Sequence, residues 1–594
     1  MSTKWNLIPQ PPDDFMACFP EQLPIITQLL WSRNIRTQSE IDEFLNPDYS
    51  QDIHDPFLFE EMNKACDIIF KAIKKKKKIV VHGDYDADGV CSAAILIKTI
   101  QMLGSTNVSV YIPHREDEGY GLNMNTVEQM AKEKIDLIIT CDCGSSNVKE
   151  IKLAKKKGIK VIVTDHHTVP PKSPSADAII HPKMPNETYP DKGLAGAGVA
   201  FKLAQGLLKK HNKKNDTLDN DQTHEGFEKW MLDLVALATV GDMVPLIGES
   251  RTLTRYGLVV LNKTQNVGLL ELFKVASLCD ENGQLKKQID AQTIAFQIVP
   301  RLNAAGRMDH ANTAFNLLMC EDQAQAKILA KQLNQNNLDR QRLTDQLFNE
   351  AKKQIEKTKQ QNNAILFAYN ENWPTGLLGL ISGRLKDCYH KPAIAFAKTG
   401  EGINGSGRSI HEFDLINALQ SMPEYFTKYG GHPQACGLTV ADEKQFELFK
   451  TELLEKANKE IDFAELIPSL DIEMQVELED VNWKLYDLLD KFQPFGVGNP
   501  EPKYVTKNLT VMSVNPVGQD QKHLRILVKH NSHKIRKTIG FGLGDCSRHP
   551  DDWKNNLKPN DKIDMVFTIS INEWNGNREL QLTVEDICVS SLDG

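Results

Sequence analysis

Between about residues 60 and 245, short apolar runs alternate with longer stretches whose apolar residues recur every third or fourth position. KIVVHG, VSVYIP, DLIITCD and KVIVTDHH read as strands. VCSAAILIKTIQML, TVEQMAKEKI and NVKEIKLAKKKG, the last stopping at Gly158, read as the helices between them. Strands that are apolar throughout are buried on both faces, so this alternation predicts βαβ crossovers and a mainly parallel sheet with helices on either side. Two helical stretches follow, GAGVAFKLAQGLLKK and GFEKWMLDLVALATVGD, with a polar loop from His211 to Gly226 between them.

From about 323 to 358 the chain contains no Gly or Pro and is rich in helix formers. A helix of that length would span roughly 50 Å, and its polarity suits a bridge between two domains better than a place inside one. AILFAY and PAIAFAK, with GLLGLISGRLKDC between them, predict a second, smaller α/β unit that closes near residue 458. Beyond about 468 the runs are short and alternating, from LTVMSVNPV to LQLTVEDICV, a spacing that predicts a small β-barrel. The expected division is a helical lead over 1–55, a sheet-bearing domain over 56–265, a helical connector over 266–358, the smaller α/β domain over 359–460 and the barrel over 461–594.

Composition narrows the class. With 41% hydrophobic and 25% charged residues the chain is an ordinary soluble globular protein, and no apolar run approaches the length of a membrane span. MSTKWNLIPQPPDDF lacks the basic-then-apolar layout of a secretory signal. Eleven cysteines without a C-x-x-C imply free thiols in a reducing compartment, so a cytoplasmic setting is expected. Cys141 and Cys143 alone offer too few ligands for zinc. A net charge of −9 excludes a uniformly basic surface but leaves room for a local groove that binds phosphates. The run Lys74 to Lys78 reads as a solvated helix C-terminus, where lysines complement the dipole.

The chemistry lies at the strand ends. The first strand delivers His82, Asp84, Asp86 and Asp88 within HGDYDADG; DLIITC delivers Asp142; KVIVT delivers Asp165, His166 and His167. In open α/β sheets these ends form the ligand crevice, so three strands aim carboxylates and imidazoles into one place. A solvated acidic loop accounts for the first cluster alone but not for three meeting at equivalent positions. Mostly oxygen donors with one or two imidazoles favour Mn²⁺ or Mg²⁺, and the carboxylates suffice for two ions, the arrangement used for in-line attack at phosphorus.

HGDYDADG, DCG at Asp142, TDHH at Thr164 to His167 and GDMVPL around Asp242 resemble the DHH phosphoesterase superfamily. REDEGYGLN, PRLNAAGRMDHA, GINGSGRS, YGGHPQACG and PFGVGNPEP narrow the resemblance, from about residue 55 onward, to its RecJ family of single-strand-specific 5′-to-3′ DNA exonucleases. The resemblance implies a DHH domain, a DHH-associated domain and a C-terminal OB-fold, with metal ligands at His82, Asp84, Asp86, Asp88, Asp142, His166 and Asp242. Asp142 is expected to bridge two ions, with Asp84 beside it in the reaction. His167 is expected to donate to the scissile phosphate or the leaving oxygen, unless it only orients a ligand; Asp165 is expected to orient its neighbours.

Substrate contacts are expected from Arg115, Arg301, Asn303 and Arg307, from Ser406 and Arg408, and from the turn Gly430, Gly431 and His432, where glycines let backbone approach a phosphate. The long helix is expected to hold the domains apart around a groove that admits one strand. In the barrel, Phe541 and Trp574 are candidates for base stacking, and Arg578 and Gln581 for backbone contact. The implied activity is metal-dependent hydrolysis of single-stranded DNA from the 5′ end in repair and recombination, with a helicase and a single-strand-binding protein as possible partners and no membrane. Two other readings stand beside it: a phosphodiesterase for short oligoribonucleotides or cyclic dinucleotides, and a non-catalytic strand-binding scaffold at the replication fork. DCGSSN departs from the expected pattern, with serines where apolar residues were expected.

Overall fold

A computed structural model describes residues 3–462, 466–531, 534–545, 551–574 and 577–590, apart from the side chains of Gln519, Glu573, Trp574 and Asn577. The first sheet consists of β1 (Ile79–His82), β2 (Val108–Tyr111), β3 (Leu137–Cys141), β4 (Lys160–Thr164) and β5 (Ala178–Ile180). All are parallel, in the order β2-β1-β3-β4-β5. Alternate residues serve two cores. Ile79 and Val81 of β1, with Leu137 and Ile139 of β3, join the core of α1 (Ala87–Met102), α2 (Gly196–Asn212) and α3 (Leu232–Gly241). Val80 and Ile138 face the core under helices Met124–Lys132 and Val148–Lys156. The chain passes from β1 outward to β2 and then back across to β3, so the loops leaving β1 and β3 diverge and open a crevice between them.

GFEKWMLDLVALATVGD is two helices rather than one, His224–Trp230 and α3, with Met231 between them. The polar stretch before it is pinned by buried Leu218 and by His211 Nδ1, which lies 2.8 Å from His224 Nε2. After Lys74 the basic run is exposed, and Lys77 pairs with Asp136 at 2.6 Å.

Helix α4 (Val299–Met308) precedes the long α5 (Gln323–Lys357), which belongs to two cores. Ala326, Leu329, Ala330 and Leu333 pack into the first domain, whereas Leu347, Ala351 and Ile355 pack into the second. The second domain holds β6 (Leu366–Tyr369), α6 (Thr375–Tyr389), β7 (Ala393–Thr399), β8 (Gly402–Arg408), β9 (Phe426–His432) and β10 (Ala435–Val440). Its strand order is β9-β10-β8-β7-β6, parallel only between β6 and β7.

The last five long strands close a barrel: Tyr504–Val517, His523–Lys529, Ile535–Gly540, Asn577–Val589 and Lys562–Trp574, the last pairing back onto the first. Helices Pro24–Ser32 and Gln38–Leu45 bury Ile26, Leu29, Leu30 and Phe44 in the same core as Leu524 and Ile526 of the barrel. Strand Lys4–Leu7 pairs with Ser469–Ile472. Among the described residues no helix is long and apolar enough to cross a membrane.

Candidate active site

The loop after β1 carries Asp84 and the N-cap of α1, Asp86, whose Oδ1 accepts from the amides of Asp88 (2.9 Å) and Gly89 (3.2 Å). Asp142 follows β3 with a left-handed φ of 61°, and Asp242 caps the C-terminus of α3. Three groups form there, each with ligand atoms within 4.8 Å of one another: Asp84, Asp86 and Asp142; Asp142, His166 and His167; Asp88, His166 and Asp242. Asp142 and His166 each belong to two of them. His166 Nε2 lies 3.1 Å from Asp142 Oδ1, 3.5 Å from Asp242 Oδ2 and 3.8 Å from Asp88 Oδ2.

Burial pushes His166 down to about 3 and His82 down to about 4, so both rings are neutral at physiological pH. Burial and mutual repulsion raise Asp84, Asp142 and Asp242 well above the usual carboxylate range. Neutral imidazoles do not offset that repulsion. His82 Nε2, Asp84 Oδ1, Asp142 Oδ1 and both ring nitrogens of His166 are buried with no hydrogen-bond partner among the described residues. The open atoms of Asp84, Asp142 and His166, oxygen with imidazole nitrogen in one crevice, fit hard divalent cations such as Mn²⁺ or Mg²⁺, whereas His82 belongs to none of the three groups. Cys141 and Cys143 are buried thiols that burial holds well above their ordinary pKa, and Cys143 Sγ lies 3.8 Å from His82 Nδ1.

Asp88 differs from the other carboxylates. Its two oxygens accept the first amides of α2, Gly196 at 2.7 Å and Ala197 at 2.6 Å, which ties α1 to α2 beneath the site. Asp165 accepts from the amides of Ser145 (2.9 Å), His166 (2.7 Å) and His167 (3.2 Å), and lies 2.9 Å from His167 Nδ1. Burial alone would depress His167, but Asp165, Asp88 and Asp86 hold its pKa above the ordinary value. Two neighbours stood out less in the sequence. Tyr120 donates to the carbonyl of Asp142 at 2.9 Å and lies 3.0 Å from His167 Nδ1. Lys183 donates to the carbonyl of His166 at 2.6 Å. Tyr120 stands in REDEGYGLN, where the charge of Arg115 drew the attention, and Lys183 stands in no motif.

The second domain closes over the crevice. Ser406 and Arg408 lie two apart on β8, and Arg408 Nη1 donates to Gly407 O at 2.8 Å. Arg307 on α4 donates to Gly376 O at 2.9 Å. Burial, together with the charges of Arg115, Arg340 and Arg408, lowers its pKa to about 9. Among the described residues no carboxylate pairs with Arg115, Arg307 or Arg408. The Arg115 guanidinium stands 4.6 Å over the Tyr85 ring. Gly430, Gly431 and His432 form the exposed end of β9, where the His432 pKa is lowered by desolvation and by the charges of His167 and Lys183.

Two of the residues expected to contact substrate also make bonds within the chain. Asn303 Oδ1 accepts the Ala87 amide at 2.6 Å, fixing the start of α1, and Arg301 bonds Asn334 on α5 (3.0 Å) and Gln297 O. In the barrel Phe541 is 62% exposed and therefore not core. Arg578 stands 5.3 Å over the Trp483 ring, Gln581 is half-buried, and the Trp574 side chain lies outside the described residues.

Residues 78–239 match the DHH family N-terminal domain, 362–460 the DHHA1 domain and 472–586 the RecJ OB domain. The chain is 35% identical to the single-stranded-DNA-specific exonuclease RecJ of Bacillus subtilis over 99% of its own length and 71% of that protein. It is 32% identical to the Haemophilus influenzae RecJ over 95% and 96%. The chain belongs to the RecJ family. Two solved RecJ structures from Thermus thermophilus resemble it, one in complex with Mn²⁺ (TM-score 0.80, 26% identity, 99% of this chain and 80% of that one) and one with Mg²⁺ (0.73, 25%, 98% and 78%). The RecJ architecture of DHH domain, DHHA1 domain and OB barrel is the one described above, and Mn²⁺ and Mg²⁺, the ions of those two complexes, are the kinds of ion expected from the ligands.

Proposed function

We propose that this protein is a divalent-metal-dependent exonuclease that removes nucleotides from the 5′ end of single-stranded DNA. One observation carries the reading: a buried cluster of carboxylates and open imidazoles that calls for cations faces a cluster of arginines that calls for anions. A strand end satisfies both at once. Asp84, Asp86, Asp88, Asp142, His166 and Asp242 would hold the ions, with Asp142 and His166 common to two of the three groups. Bound ions supply an activated water and offset charge growing on the phosphate.

The chain does the rest. Arg408, Ser406, Arg115 and Arg307 take the terminal phosphate, with the guanidinium forks matching its oxygens. His432 and the glycine turn close over the scissile phosphate. Asp165 fixes His167 Nδ1, leaving Nε2 as the nitrogen that passes a proton to the departing oxygen. The slot between the domains admits one strand, and the barrel extends its path. The ten described cysteines are all unpaired, which supports a reducing, cytoplasmic setting in repair and recombination, where a helicase or single-strand-binding protein would present the strand.

The barrel and the bridging helix are superfluous for a dinucleotide substrate, and the complete ligand set argues against a scaffold. The test uses 5′-labelled single-stranded DNA, duplex DNA and a short RNA, each with Mn²⁺, Mg²⁺ or chelator. Label should leave the single DNA strand alone and only with metal; equal release from duplex, or release in chelator, refutes the proposal.

A further inference from the structure

One face of α5 steps through Leu333, Asn337, Arg340, Thr344, Leu347 and Ala351, positions three and four apart, all buried except the half-buried Arg340. Its ends are apolar and lie in the two domain cores, but its middle is polar. Asn337 and Thr344 are 2% and 3% exposed, so this polarity is not a solvated face. Asn337 Oδ1 accepts from Arg340 Nη2 at 2.9 Å, whereas Arg340 Nε and Thr344 Oγ1 are buried with no partner among the described residues. Both line a cavity of about 230 Å³ whose wall also includes Gly379, Gly383, Arg384 and the carboxylate of Asp387. Buried donors without partners carry a cost that a ligand would relieve.

The cavity adjoins the Arg408 pocket across a single residue. A Cβ on Gly379 would stand 2.9 Å from Arg408 Nη2 and 3.1 Å from Ser406 Oγ, so a side chain there would wedge between Arg408 and the cavity. Of the charged groups here, Arg384 pairs with Asp345 and Asp387 with Lys386, whereas Arg340, depressed by burial and by the charges of Arg384 and Arg301 and opposed in this by Asp345, forms no ion pair among the described residues.

We infer that the Arg340–Thr344–Arg384 cavity is a second phosphoryl subsite, which accepts the phosphate beyond the terminal one, so that the protein degrades strands carrying a 5′-di- or triphosphate. This rests on the exonuclease reading above. The oxyanion chemistry is shared by free pyrophosphate, and the experiment separates the two sources.

Strands of one sequence ending in 5′-monophosphate or 5′-triphosphate are digested by the full-length protein with Mn²⁺, and the ratio of their kcat/KM values is the readout. In the wild type the ratio should be near one or above. It should fall about tenfold in Arg340→Gln and severalfold in Thr344→Val, which keeps the shape and removes the hydroxyl. If Arg340→Gln does not fold, Thr344→Val carries the test. A wild-type protein that digests monophosphate ends but rejects triphosphate ends overturns the subsite, as does a ratio unchanged in the folded variants. Failure on both ends would instead sink the exonuclease reading. Metal-free thermal shifts with inorganic pyrophosphate form the last arm: a shift abolished by Arg340→Gln alongside an unchanged end ratio means a site for free phosphates and overturns the inference.

Discussion

At the scale of single residues, the site's charge balance makes firm demands. Burial and the neighbouring carboxylates hold Asp84 and Asp142 well above the usual carboxylate range and push Asp242 up to about 9, so Asp242 carries at neutral pH a proton that an ion must displace. Calorimetric titration of Mn²⁺ at pH 7 in buffers of different ionisation enthalpy should therefore show net proton release; buffer-independent heats would contradict it. The same shifts fix a sign for stability. An acid whose folded pKa lies above its unfolded value binds more protons when folded, so its stabilising share is full at low pH and is lost as pH rises from about 4 through the folded pKa. Chelated protein should melt lower at pH 8.5 than at pH 6, and Mn²⁺ should raise the melting temperature more at pH 8.5. Gly196 is a second sensitive point, because a Cβ there would lie 2.6 Å from Asp142 Oδ1. Gly196→Ala should weaken Mn²⁺ binding by tenfold or more while the far-ultraviolet dichroism stays unchanged. His167→Ala should keep Mn²⁺ affinity but lower kcat by about 10²–10⁴, the range for a lost proton donor; wild-type turnover would leave the ring only an orienting part.

At the scale of elements, the OB domain reaches the metal centre through PFGVGNPEP. Leu246, four residues after Asp242, donates its amide to Val497 O at 2.7 Å, and a Cβ on Gly498 (φ +74°) would stand 3.1 Å from Pro245. Arg33 of the N-terminal helices bonds Asn499 at 2.7 Å and Glu473 at 2.9 Å behind the same loop. Gly498→Ala should cost about 1–2 kcal/mol from the left-handed backbone alone and should loosen Mn²⁺ binding severalfold, read by denaturant melts and metal titration. Such links explain what the sequence showed and what it hid. The strands β1, β3 and β4 were legible because burial on both faces makes them apolar throughout, and the ligands follow them directly. Asp88 shares the same short motif, yet its engagement with Gly196 and Ala197 depends on a contact more than a hundred residues away. The bond from the Ala87 amide to Asn303 Oδ1 was hidden for the same reason, since nothing local in either segment indicates it. The break at Met231 and the burial of Leu29 and Phe44 against the barrel likewise come from tertiary packing and not from local propensity.

At the scale of the whole molecule, α5 is the structural tie between the two halves of the site. One residue inserted after Asn337 would turn everything beyond it by about 100° and shift it by about 1.5 Å, carrying Arg408 away from Arg307. Such a variant should bind Mn²⁺ normally and lose cleavage of single strands; retained cleavage would show that the domains find each other without the helix. The rod has a further consequence. Because each end is anchored in a different core, the helix sets the gap from the carboxylate cluster to the proposed Arg408–Ser406 pocket for the strand's terminus. The molecule is a caliper with fixed jaws, and the size of the piece released at each cut is a property of the protein, indifferent to base sequence.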